Sequence, residues 1–407
     1  MSEPIKTVRI EVVPREPRRR GLILRSRRVE ITTAILALAV LLAVGSGFLG
    51  ARLAANAASA GDGVDAAGAG AGALAEFPVD TASGDAEVLR LGYFGNVTHA
   101  LPVAGVQKGE YQSALGATRL ETQIFNAGPA AVEALNAGAI DAAYLGPNPA
   151  INSFVQSGGE SVRIVSGAAS GGAQLVVREG VKSASDLRGA TLATPNLGGT
   201  QDVALRVWLK QNGLLVDTTG GSDVTINPTA NARTLQLFRD GAIDGAWLPE
   251  PWSTRLVQEA GARVLVDESS LWENGAFPTT ALAVNTEFLK KYPATVKKLL
   301  AAELETKDWL VSGLRSDPGA TLSVVNDGLK ATAGAGLPPS VLETSVQNLA
   351  FTADPNASLY PILLRNGVAA GVTKDADVTG LFDLRILNEL LAERGKNPVS
   401  AAGLGAE

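Results

Sequence analysis

The sequence predicts an α/β fold with two lobes around a central cleft, preceded by one N-terminal transmembrane or signal helix. A ten-residue sequence at 138–147 is repeated in modified form at 241–250. In both copies, apolar residues at helical spacing predict a helix, and the glycine that follows suits the left-handed backbone conformation that often ends a helix. The next residues, Ile-Asp-x-Ala-aromatic-Leu, predict a short buried strand. Strand carboxyl ends face the binding crevice in open α/β sheets. Two such ends, one in each half, therefore predict two lobes facing one cleft.

Composition narrows the classes of function. The chain has 407 residues, enough for two lobes, and a net charge of −6, which provides no basic surface for nucleic acid. It has no cysteine, so disulfides, thiolate metal sites and a lipidated cysteine are excluded. A single histidine argues against histidine-based catalysis or metal binding. We therefore expect neither a metal nor a cofactor.

The N-terminal segments predict export. Residues 1–30 form a basic tail, which we expect in the cytoplasm, and the apolar run that follows defines a transmembrane anchor or signal segment at 31–53. About 20 apolar residues span a bilayer, whereas a cleaved signal core has about 7–15. An uncleaved anchor is favoured, although Ala58-Ser59-Ala60 also fits a cleavage site. Residues 54–86, rich in Ala, Gly and Ser, predict a flexible linker.

The first lobe is predicted at 87–181. A strand at 88–94 precedes a loop that opens a helix, with Asn96 or Thr98 as the N-cap. Further strands are expected at 119–125, in the first repeat, at 162–166 and at 174–177, the last two separated by the glycine-rich residues 167–172. A helix starts at Pro147, since proline suits a first helical turn. Strands that alternate with helices predict a mostly parallel, doubly wound sheet.

The second lobe is predicted at 182–272, and residues 273–400 return to the first lobe and add C-terminal helices. The expected strands and helices follow in order: strand 191–194, helix 203–211, strand 223–227, the repeat strand, helix 253–259, strand 263–266, a returning strand at 278–284, and helices 294–310, 339–349 and 381–392.

Three helix starts follow loops rich in glycine or proline, at 96–99, 146–148 and 199–202. Free N–H groups and the positive end of the helix dipole make each start a cradle for an anion, although ordinary capping would explain any one of them. With Ser170 from the glycine-rich segment, the candidate ligand-binding residues are Asn96, Thr98, His99, Gly146, Pro147, Asn148, Ser170, Gly199, Thr200, Gln201 and Asp202. None of these loops has a phosphate-loop motif.

Two more candidates follow the second repeat. Glu250 beside Trp247 and Trp252 could receive an amine or hydroxyl of a ligand against an aromatic wall, or it could simply be an acid at a helix start next to a core tryptophan. For catalysis the chain has no nucleophile elbow, no telling carboxylate pair and no metal cluster. We therefore predict that it is not an enzyme.

Several stretches resemble the solute-binding proteins of ABC importers, in the branch that binds aliphatic sulfonates, taurine and nitrate. The similar stretches begin with Leu91-Gly92-Tyr93-Phe94 and lie at 91–100, 125–135, 144–150, 194–202, 247–252 and 379–384. The resemblance implies a type II periplasmic-binding fold, with a two-strand hinge and a closing cleft lined by the three loops named above. It also implies a permease and an ATPase as partners, at the extracytoplasmic face of a bacterial membrane.

The ligand implied is a small anion such as an aliphatic sulfonate, because helix N-termini without Lys or Arg suit three acceptor oxygens. Glu250 near an anion favours an aminosulfonate such as taurine or a polar heterocycle, since a buried carboxylate needs a cation or hydroxyl beside it. Nitrate, a thiamine-pyrimidine-like heterocycle, and a membrane-tethered sensor without transport remain as alternatives. A related fold also serves an enzyme of thiamine-pyrimidine synthesis, against which the export segment argues.

Overall fold

The computed structural model describes residues 84–217, 219 and 221–407. The predicted basic tail, apolar segment and nearly all of the linker lie outside the described residues. Within the described part of the chain, no helix has the length and hydropathy needed to cross a membrane.

Strands and short helices alternate through the first two thirds of the described chain, and helices dominate the rest. The strands are β1 (Val88–Phe94), β2 (Arg119–Phe125), β3 (Ala142–Leu145), β4 (Val162–Gly171), β5 (Ala173–Val177), β6 (Thr191–Thr194), β7 (Thr225–Pro228), β8 (Gly245–Pro249), β9 (Arg263–Asp267), β10 (Pro278–Asn285), β11 (Leu349–Phe351), β12 (Phe382–Asp383) and β13 (Gly405–Ala406). The α-helices are α1 (Ala100–Gln107), α2 (Glu110–Leu115), α3 (Gly128–Asn136), α4 (Pro147–Gln156), α5 (Thr200–Gln211), α6 (Asn231–Arg239), α7 (Trp252–Ala260), α8 (Thr286–Lys291), α9 (Pro293–Ser316), α10 (Pro318–Ala333), α11 (Pro339–Gln347), α12 (Tyr360–Ala369) and α13 (Arg385–Glu393).

Two sheets define the two lobes. The first has the order β13-β12-β4-β10-β3-β1-β2, with β11 paired to β4, and the second has the order β7-β6-β8-β5-β9. In each sheet the early strands are parallel, β1 with β2 and β3, and β6 with β7 and β8. The strands nearest the chain crossings, β10 and β5, pair antiparallel to their neighbours. The sheets are therefore mixed rather than mostly parallel.

The repeated sequence forms the same turn and strand after a helix in both lobes. Helix α3 ends before Gly138 and helix α6 ends before Gly241, and both glycines have positive φ, 65° and 76°. The fully buried strands β3 and β8 follow. The predicted helix, turn and strand are thus confirmed in both copies, and both strands lie inside their sheets.

The chain changes sheets earlier than the sequence analysis expected. Strand β4 continues to Gly171, so only Gly172 of the glycine-rich residues 167–172 lies between the two strands, and β5 belongs to the second sheet rather than to the first lobe. A side chain at Gly167 would place its Cβ 2.3 Å from the carbonyl oxygen of Asp354, so glycine here lets the strand run beside the later chain. Gly171 and Gly172, both at positive φ, turn the chain into the second lobe.

The C-terminal third also differs from expectation in one place. A helix was expected at 381–392, but Phe382 pairs with Ile164 of β4 and Gly405 of β13, and α13 begins only at Arg385. The predicted helix 294–310 is confirmed as part of α9, and the predicted helix 339–349 is confirmed as α11 up to Gln347, after which Leu349 begins β11.

Each lobe has its own hydrophobic core. The first-lobe core packs α1, α2, α9 and α10 against the sheet, and the second sheet has one cluster around Trp247 and another around Phe238 and Leu248. Glu303 of α9 lies in the first core at 1% exposure. Neither of its carboxylate oxygens has a hydrogen-bond partner among the described residues. Burial raises the pKa of Glu303 to about 8, because the core removes the hydration that would stabilise its charged form.

We expect Glu303→Gln to remove part of the pH dependence of stability. The pKa of Glu303 is about 8 in the folded chain against 4.5 for the free side chain. Between these values the folded state keeps a proton that the unfolded state has lost. The free energy of unfolding therefore falls by about 1.4 kcal/mol per pH unit from this group as the pH rises. Urea unfolding of the full chain from pH 5 to 8 should show a shallower slope in the variant. Glu133→Gln, on the exposed face of α3, should keep the wild-type slope, and an unchanged slope in Glu303→Gln would contradict the assignment.

Candidate functional site

The candidate site is a small cavity between the two lobes. It lies where β1, β3, β6 and β8 end, at the carboxyl ends of strands from both sheets, and has a volume of about 40 Å³. By volume it has room for about three water-sized groups. The lining residues are Phe94, Asn96, Thr98, His99, Asn126, Ala127, Gly128, Gly146, Pro149, Pro195, Asn196, Gly199, Thr200, Gln201, Asn231, Pro249, Thr279 and Thr280.

Many of the residues expected to bind ligand do line this cavity. Each of the three predicted loops contributes at least one of them. They are Asn96, Thr98, His99, Gly146, Gly199, Thr200 and Gln201. The structure thus brings together groups from both lobes that are about a hundred residues apart in sequence. That they contact a ligand remains a prediction.

Four helices begin at the cavity wall. Helices α3, α4, α5 and α6 start after Ala127, Gly146, Gly199 and Ala230, and none of these starts has a side-chain cap. The first N–H groups of a helix have no partner within it, and the helix dipole is positive at that end. Helix starts that meet at one small cavity favour a negatively charged group there. Only the starts of α4 and α5 were predicted.

The polar lining carries no formal charge. Its side chains are amides, hydroxyls and one imidazole, without Lys, Arg, Asp or Glu. Three buried atoms of the lining, Thr200 Oγ1, Thr280 Oγ1 and Asn231 Oδ1, have no hydrogen-bond partner in the described part of the chain. Unpartnered buried polar atoms are costly unless something satisfies them. A ligand with hydrogen-bonding groups would do so.

His99 is held as a neutral donor. Its ring stacks on Phe94 with centroids 4.2 Å apart, and its Nδ1 accepts the Phe94 N–H at 3.4 Å. Complete burial lowers the pKa of His99 to about 3. The ring therefore stays uncharged near neutral pH, with its proton on Nε2.

Glu250 does not lie at the cavity. The side chain is fully buried and is satisfied by neutral donors from both lobes. Thr254 Oγ1 and Asn348 Nδ2 donate to Oε1 at 2.9 and 2.7 Å, and Ser345 Oγ donates to Oε2 at 3.1 Å. Because both oxygens already accept hydrogen bonds, the expected contact with a ligand amine or hydroxyl is not supported.

Asp202 and Trp252 are also engaged elsewhere. Asp202 is fully buried, and its Oδ2 pairs with Arg206 Nε at 2.9 Å within α5. Trp252 lies outside the lining and donates from Nε1 to Asn96 Oδ1 at 2.9 Å. These two positions were predicted from sequence adjacency, which places the backbone but not the side chain.

The remaining candidates are parts of the first lobe's framework. Pro147 is the first residue of α4, and Asn148 Nδ2 donates to the Leu363 carbonyl at 3.1 Å. Ser170 lies on β4, paired with Pro278 and Ala350, because the strand extends through the predicted loop. None of the three lines the cavity.

Several lining residues escaped the sequence analysis. Asn126 and Asn196 sit inside stretches that carried the family resemblance, so that signal was available. Asn231 and Thr280 had no such signal: one begins α6 and the other lies on the returning strand β10. Among the described residues there is no group of three or more His, Asp or Glu side chains that could hold a metal ion.

The fold and the site define a two-lobed α/β binding protein with the architecture of periplasmic-binding proteins. The chain belongs to the NMT1-like family, whose model matches residues 82–319. It is 26% identical over 190 residues to a binding protein of Brucella abortus, an alignment that covers 46% of this chain and 56% of that protein. The chain thus spans only about half the length of the curated relatives it matches.

Solved structures show the same fold. The alkanesulfonate-binding protein SsuA from Xanthomonas axonopodis pv. citri, bound to MOPS, has a TM-score of 0.60 at 19% identity and covers 72% of this chain and 96% of its own. The periplasmic nitrate-binding protein NrtA from Synechocystis PCC 6803 has a TM-score of 0.60 at 16% identity and covers 71% and 83%. These relatives are binding proteins, which confirms the prediction that the chain is not an enzyme.

We expect His99 to show no titration between pH 5 and 8. Its pKa of about 3 keeps the ring neutral throughout that interval. Because the chain has a single histidine, its ring resonances in a proton–nitrogen NMR spectrum need no assignment by mutagenesis. The same protein unfolded in urea supplies the control and should titrate near 6.5. A folded-state midpoint near 6.5 would show that the ring is hydrated and would contradict the buried, neutral donor.

Proposed function

We propose that the chain is the extracytoplasmic solute-binding component of an ABC importer. It captures a small anionic organic solute, an aliphatic sulfonate or taurine-like compound, by hinge closure and delivers it to a membrane permease served by an ATPase. The N-terminal apolar segment either anchors the protein at the outer face of the membrane or is removed after export. The observation that carries the proposal is the uncharged cavity between the lobes, at which four helices begin.

An anion fits this lining better than a cation or a neutral apolar compound. Helix N-termini supply partial positive charge, and Thr200, Gln201 and His99 supply hydrogen-bond donors. With no carboxylate in the lining, nothing repels a negative ligand or compensates a positive one. A sulfonate spreads its charge over three oxygens, which suits several neutral donors arranged around one small space.

A taurine-like amine would need a hydrogen-bond acceptor in the cavity, and Glu250 cannot be that acceptor because it does not line the cavity. Asn231 Oδ1, buried and without a partner among the described residues, is the acceptor that the cavity offers instead. The volume of about 40 Å³ suits a compact head group with a short substituent.

Nitrate is the second candidate, and the small volume is the observation that favours it. A planar anion of four atoms would fit the cavity without any further opening. The structural likeness to a nitrate-binding protein adds support. A pyrimidine-sized heterocycle would require a more open arrangement of the lobes, and a sensor role would leave the site chemistry the same.

The proposal predicts stabilisation by a small anion. The full chain in mild detergent would be screened by thermal shift against methanesulfonate, taurine, nitrate, sulfate and a thiamine-pyrimidine compound. A ligand present at about 100 times its dissociation constant should add about 2.7 kcal/mol to stability. A shift with methanesulfonate or taurine supports the sulfonate class, and a shift with nitrate alone replaces it. A shift with the heterocycle alone contradicts the proposed anion, and so does the absence of a shift with every probe.

Thr200→Val tests the location of the site. Valine keeps the shape of threonine but removes a buried hydroxyl with no other partner in the described structure, so the dissociation constant measured by calorimetry should rise about tenfold. Thr225→Val, on the exposed face of β7 in the same lobe, is the matched control and should bind as the wild type does. Equal affinities in both variants would place the ligand outside this cavity.

A further inference from the structure

One hydrogen bond between side chains joins the two lobes directly beside the cavity. Trp252 opens α7 in the second lobe, and its Nε1 donates to Oδ1 of Asn96, which follows β1 in the first lobe, at 2.9 Å. Asn96 lines the cavity, whereas Trp252 does not. The indole thus engages a wall residue of the site from outside the space that a ligand would fill.

The indole ring is fixed from its own lobe. The Arg255 guanidinium lies over the ring at 5.1 Å, and Arg255 Nε is held by Glu259 Oε1 at 2.8 Å. Helix α7 also contacts α11 of the first lobe, where Gln258 Nε2 donates to Thr344 Oγ1 at 2.9 Å. Among these contacts from α7, the bond to Asn96 is the one whose first-lobe partner belongs to the cavity wall.

The lobes also approach closely at Gly146 and Thr200, two other residues of the cavity wall. A Cβ at Gly146 of the first lobe would lie 2.4 Å from Thr200 Oγ1 of the second. Because this distance is under 3.0 Å, a methyl group at position 146 would require the Thr200 side chain or the lobes to move. This close approach and the bond from Trp252 to Asn96 both join the lobes beside the cavity, and both would be lost if the lobes separated.

We propose that the hydrogen bond from Trp252 to Asn96 is a latch that holds the lobes closed, so that Trp252 sets the rate of ligand release without contacting the ligand. The proposal rests on the proposed solute-binding function and specifies how its closure is regulated. The bond exists only when the lobes are together, so its free energy adds to the closed state alone and shifts the equilibrium towards it. A neutral hydrogen bond of ordinary strength corresponds to about a fivefold change in that equilibrium.

Trp252→Phe removes the donor and keeps an aromatic ring under Arg255. We expect methanesulfonate, or whichever probe the thermal-shift screen identifies, to leave this variant about fivefold faster in stopped-flow measurements, with a nearly unchanged association rate. Trp309→Phe on α9, whose ring packs under Lys108 in the first lobe, is the matched control and should release the probe as the wild type does. Release at the wild-type rate in Trp252→Phe would overturn the latch.

A second measurement needs no ligand. Because the chain has no cysteine, Lys210→Cys on α5 and Lys330→Cys on α10 would attach one spin label to each lobe without further changes. Ligand-free Trp252→Phe should show a larger fraction of long interlobe distances than the labelled wild type. Gly146→Ala, in which the added methyl presses on Thr200, should shift the distances in the same direction if the lobes rather than the Thr200 side chain give way.

The release measurement and the distance measurement together distinguish failure of the solute-binding proposal from failure of the latch proposal. If no probe binds the wild type, the solute proposal fails, and the distance distributions still decide whether Trp252 holds the lobes together. If a probe binds but Trp252→Phe matches the wild type in both release and distance, the latch fails alone. A thermal midpoint of Trp252→Phe close to that of Trp309→Phe shows that the variant is folded.

Discussion

Two aspartates, one in each lobe, fix the frame on which the cavity depends. Asp141 donates its N–H to the Arg90 carbonyl and accepts the Arg90 N–H on Oδ2, both at 2.8 Å. Asp244 does the same with Thr191, at 2.7 and 2.8 Å. Each aspartate thus sets the register of the repeat strand against its parallel neighbour, β3 on β1 and β8 on β6. A slip by one residue would turn buried side chains to the wrong face. With the register fixed, β3 and β6 end at the cavity and lead directly into α4 and α5, whose first turns line it.

The charged side chains near the cavity pair with one another and do not line it. Asp202 and Arg206 pair inside α5, where removing either partner would leave a buried charge. Asp202 also accepts from Thr194 Oγ1 and the Gly198 N–H, so it fixes the loop that carries Asn196 and Gly199 to the cavity. The lining keeps only dipoles and neutral donors. The proposed anion would be stabilised here by several groups of moderate strength, which hinge opening would separate more readily than a buried ion pair.

Local patterns were enough to predict the helix, turn and strand of each repeat and the starts of α4 and α5, because each depends on residues adjacent in sequence. The position of the sheet crossing depended on long-range contact: β4 extends through a glycine-rich stretch because residues near Asp354 lie beside it. Glu250 shows the same limit at the site. Its place after a strand was correctly predicted, but Ser345 and Asn348, which draw its carboxylate away from the cleft, come from a distant helix. Asn231 and Thr280 became wall residues only through the way the strands and helices assemble.

Gly171, Gly172 and the buried carboxylate of Glu250 determine how the chain passes from one lobe to the other. Gly171 and Gly172 supply two successive positive-φ residues where the chain passes between sheets, and the Glu250 N–H donates to the Gly172 carbonyl at 2.9 Å. Glu250 then binds α11 of the first lobe, so this acid ties the second lobe's repeat strand to both the crossing and the first lobe. A buried, fully hydrogen-bonded network of this kind is costly to break in part. If the proposed hinge closure takes place, we expect the contacts at the crossing to persist and the contacts beside the cavity to form and break. That division would allow rigid-body closure of two well-packed lobes rather than deformation of either one.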